Sequence, residues 1–364
     1  LRLNRAFIPG DMERIISAGI SGGGQMSSIL GASGNLPEYY PWLWEMGAVG
    51  VSQSADGPVS TIPDHVYASQ CYCPIADLEN ADLAYAWLRH DVGETVVSDP
   101  RSGTASFTPF QLALQEDAAA VFCGYLNSLA LRDQEDVPLR FDQAADGTPD
   151  TRSGSYYRAI LANLSRALNV WLKEKTGPDG SLCFETHGPF CPEGIQRFHS
   201  AEDYLSTFRY LPQWLKRLPD SSLAITDLRA FLCGTSLPRN KNIPGFDTLS
   251  LNGENNAFGR DWETAVHFSA SIGSLLEKHA SRYRTLDGYV PQEADAFIRD
   301  SRREDIRTQT ALMNATHLLL AAARGEKHPA IARCWRIRSG TADEHTSFSV
   351  GFNLSLAARM AGAQ

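Results

Sequence analysis

A serine lies in a glycine-rich segment near the start of the chain. The segment reads GISGGGQMSSILGASGN over 19–35, and Ser21 stands in the order G-x-S-x-G. A serine on a tight turn between a strand and a helix has its hydroxyl raised above the sheet edge, where it can attack a carbonyl carbon. The N–H of the next residue, Gly22, would point at the developing oxyanion from the helix N-terminus. The sequence therefore predicts Ser21 as a nucleophile and Gly22 as an oxyanion-hole donor.

The same segment has three other possible interpretations. A glycine-rich loop that leads into a helix, with or without a bound anion, has a similar local pattern. A phosphate-binding loop is disfavoured because the segment lacks the Gly-Lys-Ser/Thr sequence that supplies a charge for the phosphates. A dinucleotide site is disfavoured because the acidic residues that follow, Glu38 and Glu45, lie in a Pro/Trp-rich stretch.

The elements around Ser21 support the first interpretation. MERIISAG predicts a short buried strand before the serine, and QMSSILGA predicts a helix after it, with Gly31 and Gly34 as stop signals. Two further buried strands are predicted over 66–75 and 334–337, and a helix is predicted after Thr346 or Ser347. Strand–helix units at both ends of the chain favour an α/β core.

The middle of the chain, about 81–316, differs from both ends. Its clearest helix covers 155–175, and 296–323 is also helical in pattern. Ser200 with Asp203 predicts a helix start, and Pro212 predicts a new helix or a kink. Loops are predicted for the Gly-, Pro-, Asp- and Asn-rich segments 98–110, 142–154 and 234–262. The whole pattern predicts an α/β core with a mostly helical insertion.

A triad acid and base would follow the serine in chain order. Asp343 comes after the strand CWRIR through a glycine-containing turn, so it is predicted to orient the base. The alternative is a turn aspartate that caps the next helix. The one histidine after Asp343 is His345, too near in sequence for the usual Asp–His pair. We therefore expect that these 364 residues do not contain the catalytic histidine. His267, in ETAVHFSA, is a candidate to face the site.

Charge and cysteine content limit the possible partners. The net charge is −9 and the pI is about 5.5, which argues against nucleic acids and anionic membrane surfaces. No stretch approaches the ~18 apolar residues of a membrane span. The seven cysteines are scattered and lack the spacing of a metal site. Cys183 and Cys191 flank a loop and could pair in an oxidising compartment.

Four blocks of the sequence resemble the bacterial tannases, α/β-hydrolases related to feruloyl esterases. They occur in the family's order and with similar spacing, from one end of the chain to the other. The blocks are PGDMERIISAGISGGGQMSSILGASGN (9–35), YCPIADLENADLAYAW (72–87), GFDTLSLNGENNAFG (245–259) and WRIRSGTADEHTS (335–347).

The resemblance implies an α/β-hydrolase core, with a partial sheet, and a helical lid. Residues 1–87 and 319–364 would form the core, and 88–318 the lid. Ser21 would be the nucleophile and Asp343 the triad acid. The substrates would be esters of phenolic acids, such as galloyl esters. No metal or organic cofactor is implied, and a secreted or periplasmic location is favoured.

The sequence also departs from the family's pattern. The Pro/His/Gly segment that carries the family's base is absent, and so is the N-terminal part with the second oxyanion donor. Arg338-Ser339-Gly340 stands where the family has R-H-G, and His345 stands where an aspartate binds the galloyl hydroxyls. The lid lysine and glutamate that bind substrate are not identified by the sequence, although His267 and Glu254 are neighbours of that region.

We therefore predict a serine carboxylesterase chain that lacks its base and has little activity alone. The alternative is a non-catalytic relative that binds a phenolic ligand or a protein. A peptidase or thioesterase with the same triad is a third option. If the sheet lacks its outer strands, unpaired strand edges and poor solubility are expected.

Overall fold

A computed structural model of the chain describes residues 1–92, 97–99, 103–186, 193–235, 241–259, 263–341, 343 and 345–364. The strands in these ranges are β1 (Ile16–Ile20), β2 (Val51–Ser54), β3 (Gly57–Ser60), β4 (Ala68–Tyr72), β5 (Val97–Asp99), β6 (Gly103–Ala105), β7 (Phe141–Gln143), β8 (Pro149–Gly154), β9 (Leu182–Thr186), β10 (Gly194–Phe198), β11 (Leu215–Arg217), β12 (Leu223–Ile225) and β13 (Cys334–Arg338).

The helices in the same ranges are α1 (Gly22–Ala32), α2 (Tyr40–Glu45), α3 (Ala81–Arg89), α4 (Pro109–Ser128), α5 (Ser155–Lys175), α6 (Ala201–Leu205), α7 (Leu211–Trp214), α8 (Leu228–Thr235), α9 (Ala270–Lys278), α10 (Ala280–Tyr283), α11 (Pro291–Asp300), α12 (Glu304–Leu312), α13 (Ala315–Ala323) and α14 (Phe348–Met360).

A three-stranded parallel sheet brings the two ends of the chain together. Its order is β1-β4-β13, and the register aligns Ile20 with Tyr72 and Tyr72 with Arg338. The carboxyl ends of all three strands therefore meet at one edge. A strand forms at each of the three predicted places, 12–19, 66–75 and 334–337, and the chain is an α/β protein. Only β4 contains buried residues. The expectation that β1 and β13 are buried is wrong, because each is an outer strand of the described sheet.

Helix α1 packs closely on one face of this sheet. The Ser17 and Ser27 hydroxyls are 2.8 Å apart, and Ser27 also reaches Ser69 on β4. Gly31 lies against the Trp335 ring of β13, so close that a Cβ there would come within 2.7 Å of it. The expectation that Gly31 ends the helix is wrong. It lies inside α1, which continues to Ala32, because the glycine allows contact with Trp335.

The opposite face of the sheet is largely open in the described part of the chain. Ile16 and Ile20 on β1 are 56% and 71% exposed. Parallel sheets are usually covered on both faces, so this exposure of apolar strand residues is unusual. Among the described strands, β1 and β13 each pair only with β4.

The middle of the chain is mainly helical, as predicted, with small antiparallel hairpins. Helix α5 is confirmed at its predicted bounds. Ser200 accepts a hydrogen bond from the Asp203 N–H and starts α6, and Pro212 lies in the first turn of α7. The loops predicted over 98–110 and 142–154 are wrong in part. They contain the hairpins β5–β6 and β7–β8, whose short, polar strands have the composition of turns.

One continuous apolar core joins the middle of the chain to the helices of the sheet. It runs from Ala32 on α1 through Trp87 on α3 and Phe122 on α4 to Leu354 on α14. The Tyr156 hydroxyl on α5 donates to the Asn353 side chain of α14 at 2.8 Å. The division into segments 1–87, 88–318 and 319–364 therefore stays a prediction. No described helix is both long and apolar enough to traverse a bilayer.

The structure bears on possible metal and disulfide sites. Within the described ranges, no group of three or more His, Cys, Asp or Glu side chains is arranged to hold a metal ion. The predicted partner of Cys183, Cys191, lies outside the described residues.

Candidate active site

The candidate site lies at the carboxyl edge of the three parallel strands. Ser21 follows β1, and its N–H donates to the Tyr72 carbonyl of β4 at 2.9 Å. Cys73 follows β4, and its N–H donates to the Arg338 carbonyl of β13 at 2.6 Å. The loop after β13 carries Asp343. The two residues predicted as nucleophile and acid thus follow the two strands that flank β4.

The backbone of Ser21 has an unusual conformation. Its φ is 56° and its ψ is −119°, a region that side-chain-bearing residues rarely adopt. Strain of this kind costs about 1–3 kcal/mol and persists where the surrounding structure enforces it. Ser21 occupies the N-cap of α1, yet its hydroxyl caps no backbone N–H of the helix. The hydroxyl is therefore not used for capping, and it is exposed at the turn.

The glycines around Ser21 do not all serve the same purpose. A Cβ on Gly19 would lie 2.1 Å from the Gly23 carbonyl oxygen, and one on Gly24 would lie 2.8 Å from the Tyr72 carbonyl oxygen. A Cβ on Gly22 or Gly23 would meet nothing within 4 Å. The close approach of strand and helix therefore requires Gly19 and Gly24. The second glycine of the motif, Gly23, is not required on steric grounds.

Gly22, the predicted oxyanion donor, is the first residue of α1. N–H groups in the first turn of a helix have no acceptor within the helix and carry its positive dipole end. This position suits a developing negative charge beside Ser21.

Asp343 is held tightly by its own loop. Its Oδ1 accepts the His345 N–H at 2.8 Å and the Thr346 N–H at 3.3 Å, and its Oδ2 accepts the Thr346 hydroxyl. The Arg89 guanidinium, on α3 and 1% exposed, donates to the Asp343 carbonyl at 3.1 Å. The carboxylate thus makes the contacts of a turn aspartate before α14, and the same contacts fix its orientation.

Cys73 lies between the two predicted triad residues. Burial raises the pKa of its thiol, and the nearby Asp343 charge raises it further, against a backbone hydrogen bond at Gly340 that lowers it. The thiol therefore contacts the acid loop. Neither the motif nor the spacing of the cysteines indicated this placement.

We expect Cys73 to react slowly with iodoacetamide, because a raised pKa leaves less thiolate at a given pH. Its alkylation should reach half of its maximal rate at a higher pH than that of N-acetylcysteine. Peptide mass spectrometry across a pH series measures this. Asp343→Asn removes the neighbouring charge, so its profile should move to lower pH. An unchanged profile in that variant would contradict the contact.

A lysine from the middle of the chain faces the same site. Burial lowers the pKa of Lys241, and the charges of Glu254, Asp82 and Asp343 oppose this. Its Nζ lies 3.9 Å from the centre of the Phe246 ring. The Lys241 ammonium is therefore within electrostatic reach of the Glu254 carboxylate and of the acid loop. Sequence reasoning missed Lys241, which stands in a Pro- and Asn-rich stretch without periodicity.

The two predicted substrate contacts, His267 and His345, have different placements. His267 is 1% exposed, lies 2.8 Å from Asp247 through its Nδ1, and stacks on Phe297 with ring centres 4.2 Å apart. This buried packing gives no support for contact with a substrate. His345 is exposed beside Asp343 and donates its backbone N–H to it. Only His345 is brought to the acid loop.

The fold and the site together define an α/β protein with a serine on a strand–turn–helix at the carboxyl edge of a parallel sheet. No protein-family model matches the sequence, and no curated protein matches it. Solved structures do match. The Fusobacterium nucleatum tannase has 24% identity and a TM-score of 0.67, with 99% of this chain and 64% of that chain covered.

Two tannin acyl hydrolase structures are similar to the same degree. The native Lactobacillus plantarum enzyme has 24% identity and a TM-score of 0.67, with 98% of this chain and 61% of that one covered. A tannin acyl hydrolase in complex with ethyl gallate has 25% identity and a TM-score of 0.66, covering 98% and 60%. The chain therefore has the fold of the bacterial tannases and spans less than two thirds of their length.

Proposed function

We propose that this chain carries the nucleophile and the acid of a serine carboxylesterase that acts on esters of phenolic acids. One observation carries the proposal: Ser21, in a strained turn with an uncapped hydroxyl, lies at the strand edge that also holds Asp343. The likeness to tannases, one of them in complex with ethyl gallate, supports the phenolic class of substrate.

In the proposed reaction the Ser21 oxygen attacks the ester carbonyl carbon. The carbonyl oxygen takes the electron pair and is stabilised by the Gly22 N–H and a second donor. A histidine, oriented by Asp343, takes the serine proton and passes it to the leaving alcohol. Water then adds to the acyl-enzyme and releases the phenolic acid.

The polar groups opposite the sheet fit a phenolic ring. Lys241 and Glu254 offer a hydrogen-bond donor and an acceptor, and the Lys241 ammonium rests on the face of the buried Phe246 ring. Ring hydroxyls both donate and accept, so this pair suits a polyhydroxylated acyl group. His345 would add a further contact from the acid loop.

We further propose the hydrolase-core and lid arrangement for segments 1–87, 88–318 and 319–364, with the base absent from these residues. Three of the described histidines support the absence of the base, because their ring nitrogens lie against groups other than Ser21 and Asp343. His65 lies against Arg2, His90 against the Trp87 carbonyl, and His317 against the Tyr125 hydroxyl.

The test is to find which residue a fluorophosphonate ester modifies. Ser21 is expected to be labelled selectively, since the oxyanion hole and binding alone leave roughly 10³-fold catalysis over water. Peptide mass spectrometry locates the adduct. Ser21→Ala should abolish labelling, and Ser200→Ala, at another helix N-cap, should leave it unchanged.

A second candidate is a non-catalytic protein that binds a phenolic ligand. The hydrogen bonds of Asp343 to its own loop favour it, because a turn aspartate needs no catalytic role. Binding of gallate, together with labelling of Ser21 no faster than in the denatured chain, would support this second function and exclude the first.

A further inference from the structure

Two buried aspartates accept hydrogen bonds from the loop that carries Lys241 and Glu254 and from the segments beside it. The first, Asp82 on α3, is 1% exposed. Its Oδ1 accepts the N–H groups of Gly245 and Phe246, and its Oδ2 accepts the Asp247 N–H at 3.0 Å. One side chain from the segment after β4 thus holds three consecutive amides of this loop.

The second buried aspartate lies in the loop itself. Asp247 is fully buried, and its Oδ1 accepts from the Asn255 amide and lies 2.8 Å from His267 Nδ1. Its Oδ2 accepts the N–H groups of Phe268 and Ser269, each at 2.6 Å. Asp247 therefore ties the loop to the segment before α9.

Backbone hydrogen bonds connect Lys241 and Glu254 to the residues around these two aspartates. The Lys241 N–H donates to the Tyr85 hydroxyl at 2.9 Å, and Tyr85 lies on α3 near Asp82. The Glu254 N–H donates to the Phe246 carbonyl at 3.0 Å. Asn255, next to Glu254, is bound to Asp247. The orientations of Lys241 and Glu254 therefore both depend on the two aspartates.

Burying two carboxylates is costly unless their hydrogen bonds are satisfied. Burial raises the pKa of Asp82 to about 6, against the three backbone N–H groups that lower it. An apolar side chain would pack the same volume at less cost. It would leave the amides of 245–247 without acceptors, and the loop would lose the fixed path that the carboxylates enforce.

We propose that Asp82 and Asp247 are positioning residues that hold Lys241 and Glu254 toward Asp343, and so set the affinity for a polyhydroxylated aromatic ring. The inference rests on the proposed function, because it takes the phenolic acid as the ligand. The aspartates act through the loop and need not touch the ligand.

The experiment is a double-mutant cycle on gallate binding, measured by isothermal titration calorimetry with the 364-residue chain. Asp82→Asn should weaken gallate binding about tenfold, the size expected for one misplaced charged contact. Lys241→Met should weaken it by a similar factor. In the Lys241→Met background, Asp82→Asn should have a clearly smaller effect than in the unaltered chain, because only the Glu254 contact is left for it to position.

The control is Asp220→Asn. Asp220 also accepts a backbone N–H, from Ser222 at 3.0 Å, but in an exposed turn, so gallate binding should not change. Thermal melting checks that each variant is folded. If Asp82→Asn fails to fold, Tyr85→Phe replaces it in the cycle, since it removes the acceptor of the Lys241 N–H.

The outcomes separate this inference from the proposed function. Additive effects of the two substitutions, or a normal affinity in Asp82→Asn, would overturn the positioning role while leaving the esterase proposal intact. Absence of gallate binding by the unaltered chain would overturn both the positioning role and the phenolic substrate. A Ser21 adduct without gallate binding would leave an esterase of a different substrate class.

Discussion

The substitution Gly19→Ala is expected to destabilise the fold and to prevent fluorophosphonate labelling of Ser21. The new Cβ would lie 2.1 Å from the Gly23 carbonyl oxygen, so β1 and α1 would have to separate. Neither can move freely, because Ile20 is paired with Tyr72 and the Ser21 N–H is bound to the Tyr72 carbonyl. Backbone overlap of this kind should cost about 3 kcal/mol of the free energy of unfolding.

Gly23→Ala is the matched control. A Cβ at Gly23 meets nothing within 4 Å, and alanine in a helix is favoured over glycine by roughly 0.5–1 kcal/mol. Urea denaturation should therefore show a large loss for Gly19→Ala and none for Gly23→Ala. Fluorophosphonate labelling of Ser21 should fall only in the first variant. Equal behaviour of the two variants would mean that the turn does not have the described geometry.

The strand–turn–helix around Ser21 could be predicted because its determinants are local. An apolar strand, a cluster of glycines and a helix pattern occur within about twenty residues, and each has a steric or hydrogen-bonding cause. The sequence could not distinguish which glycines are required. That depends on the distance between β1, α1 and β4, which only the folded chain determines.

The placement of Lys241 and His267 was much less predictable. Lys241 stands more than two hundred residues from Ser21, in a loop whose amides at 245–247 are bound by Asp82 on α3. No periodicity connects such positions. The aromatic neighbour of His267 in the sequence suggests a site residue. In the structure the ring that His267 stacks on is Phe297, and its Nδ1 lies against Asp247. A histidine in an apolar stretch is more often part of a buried network than a ligand.

The 364-residue chain is expected to hydrolyse phenolic esters only slowly, and added imidazole is expected to restore part of the rate. The serine proton needs an acceptor during attack. The Asp343 carboxylate does not serve as that acceptor, because it already accepts hydrogen bonds from its own loop. Loss of a triad histidine costs about 10⁶-fold in kcat, and the oxyanion hole leaves a residual 10³–10⁴-fold over water. Free imidazole can take the proton where a cleft is open at Ser21.

The measurement is nitrophenol release from a p-nitrophenyl ester of a phenolic acid, as a function of imidazole concentration. The increase should be absent in Ser21→Ala, which has no hydroxyl to activate. Asp343→Asn should reduce it, because the added base loses the carboxylate that would orient it. Fast, Ser21-dependent turnover without imidazole would mean that a histidine of this chain is the base. His345→Gln would then test the histidine of the acid loop, whose backbone N–H donates to Asp343.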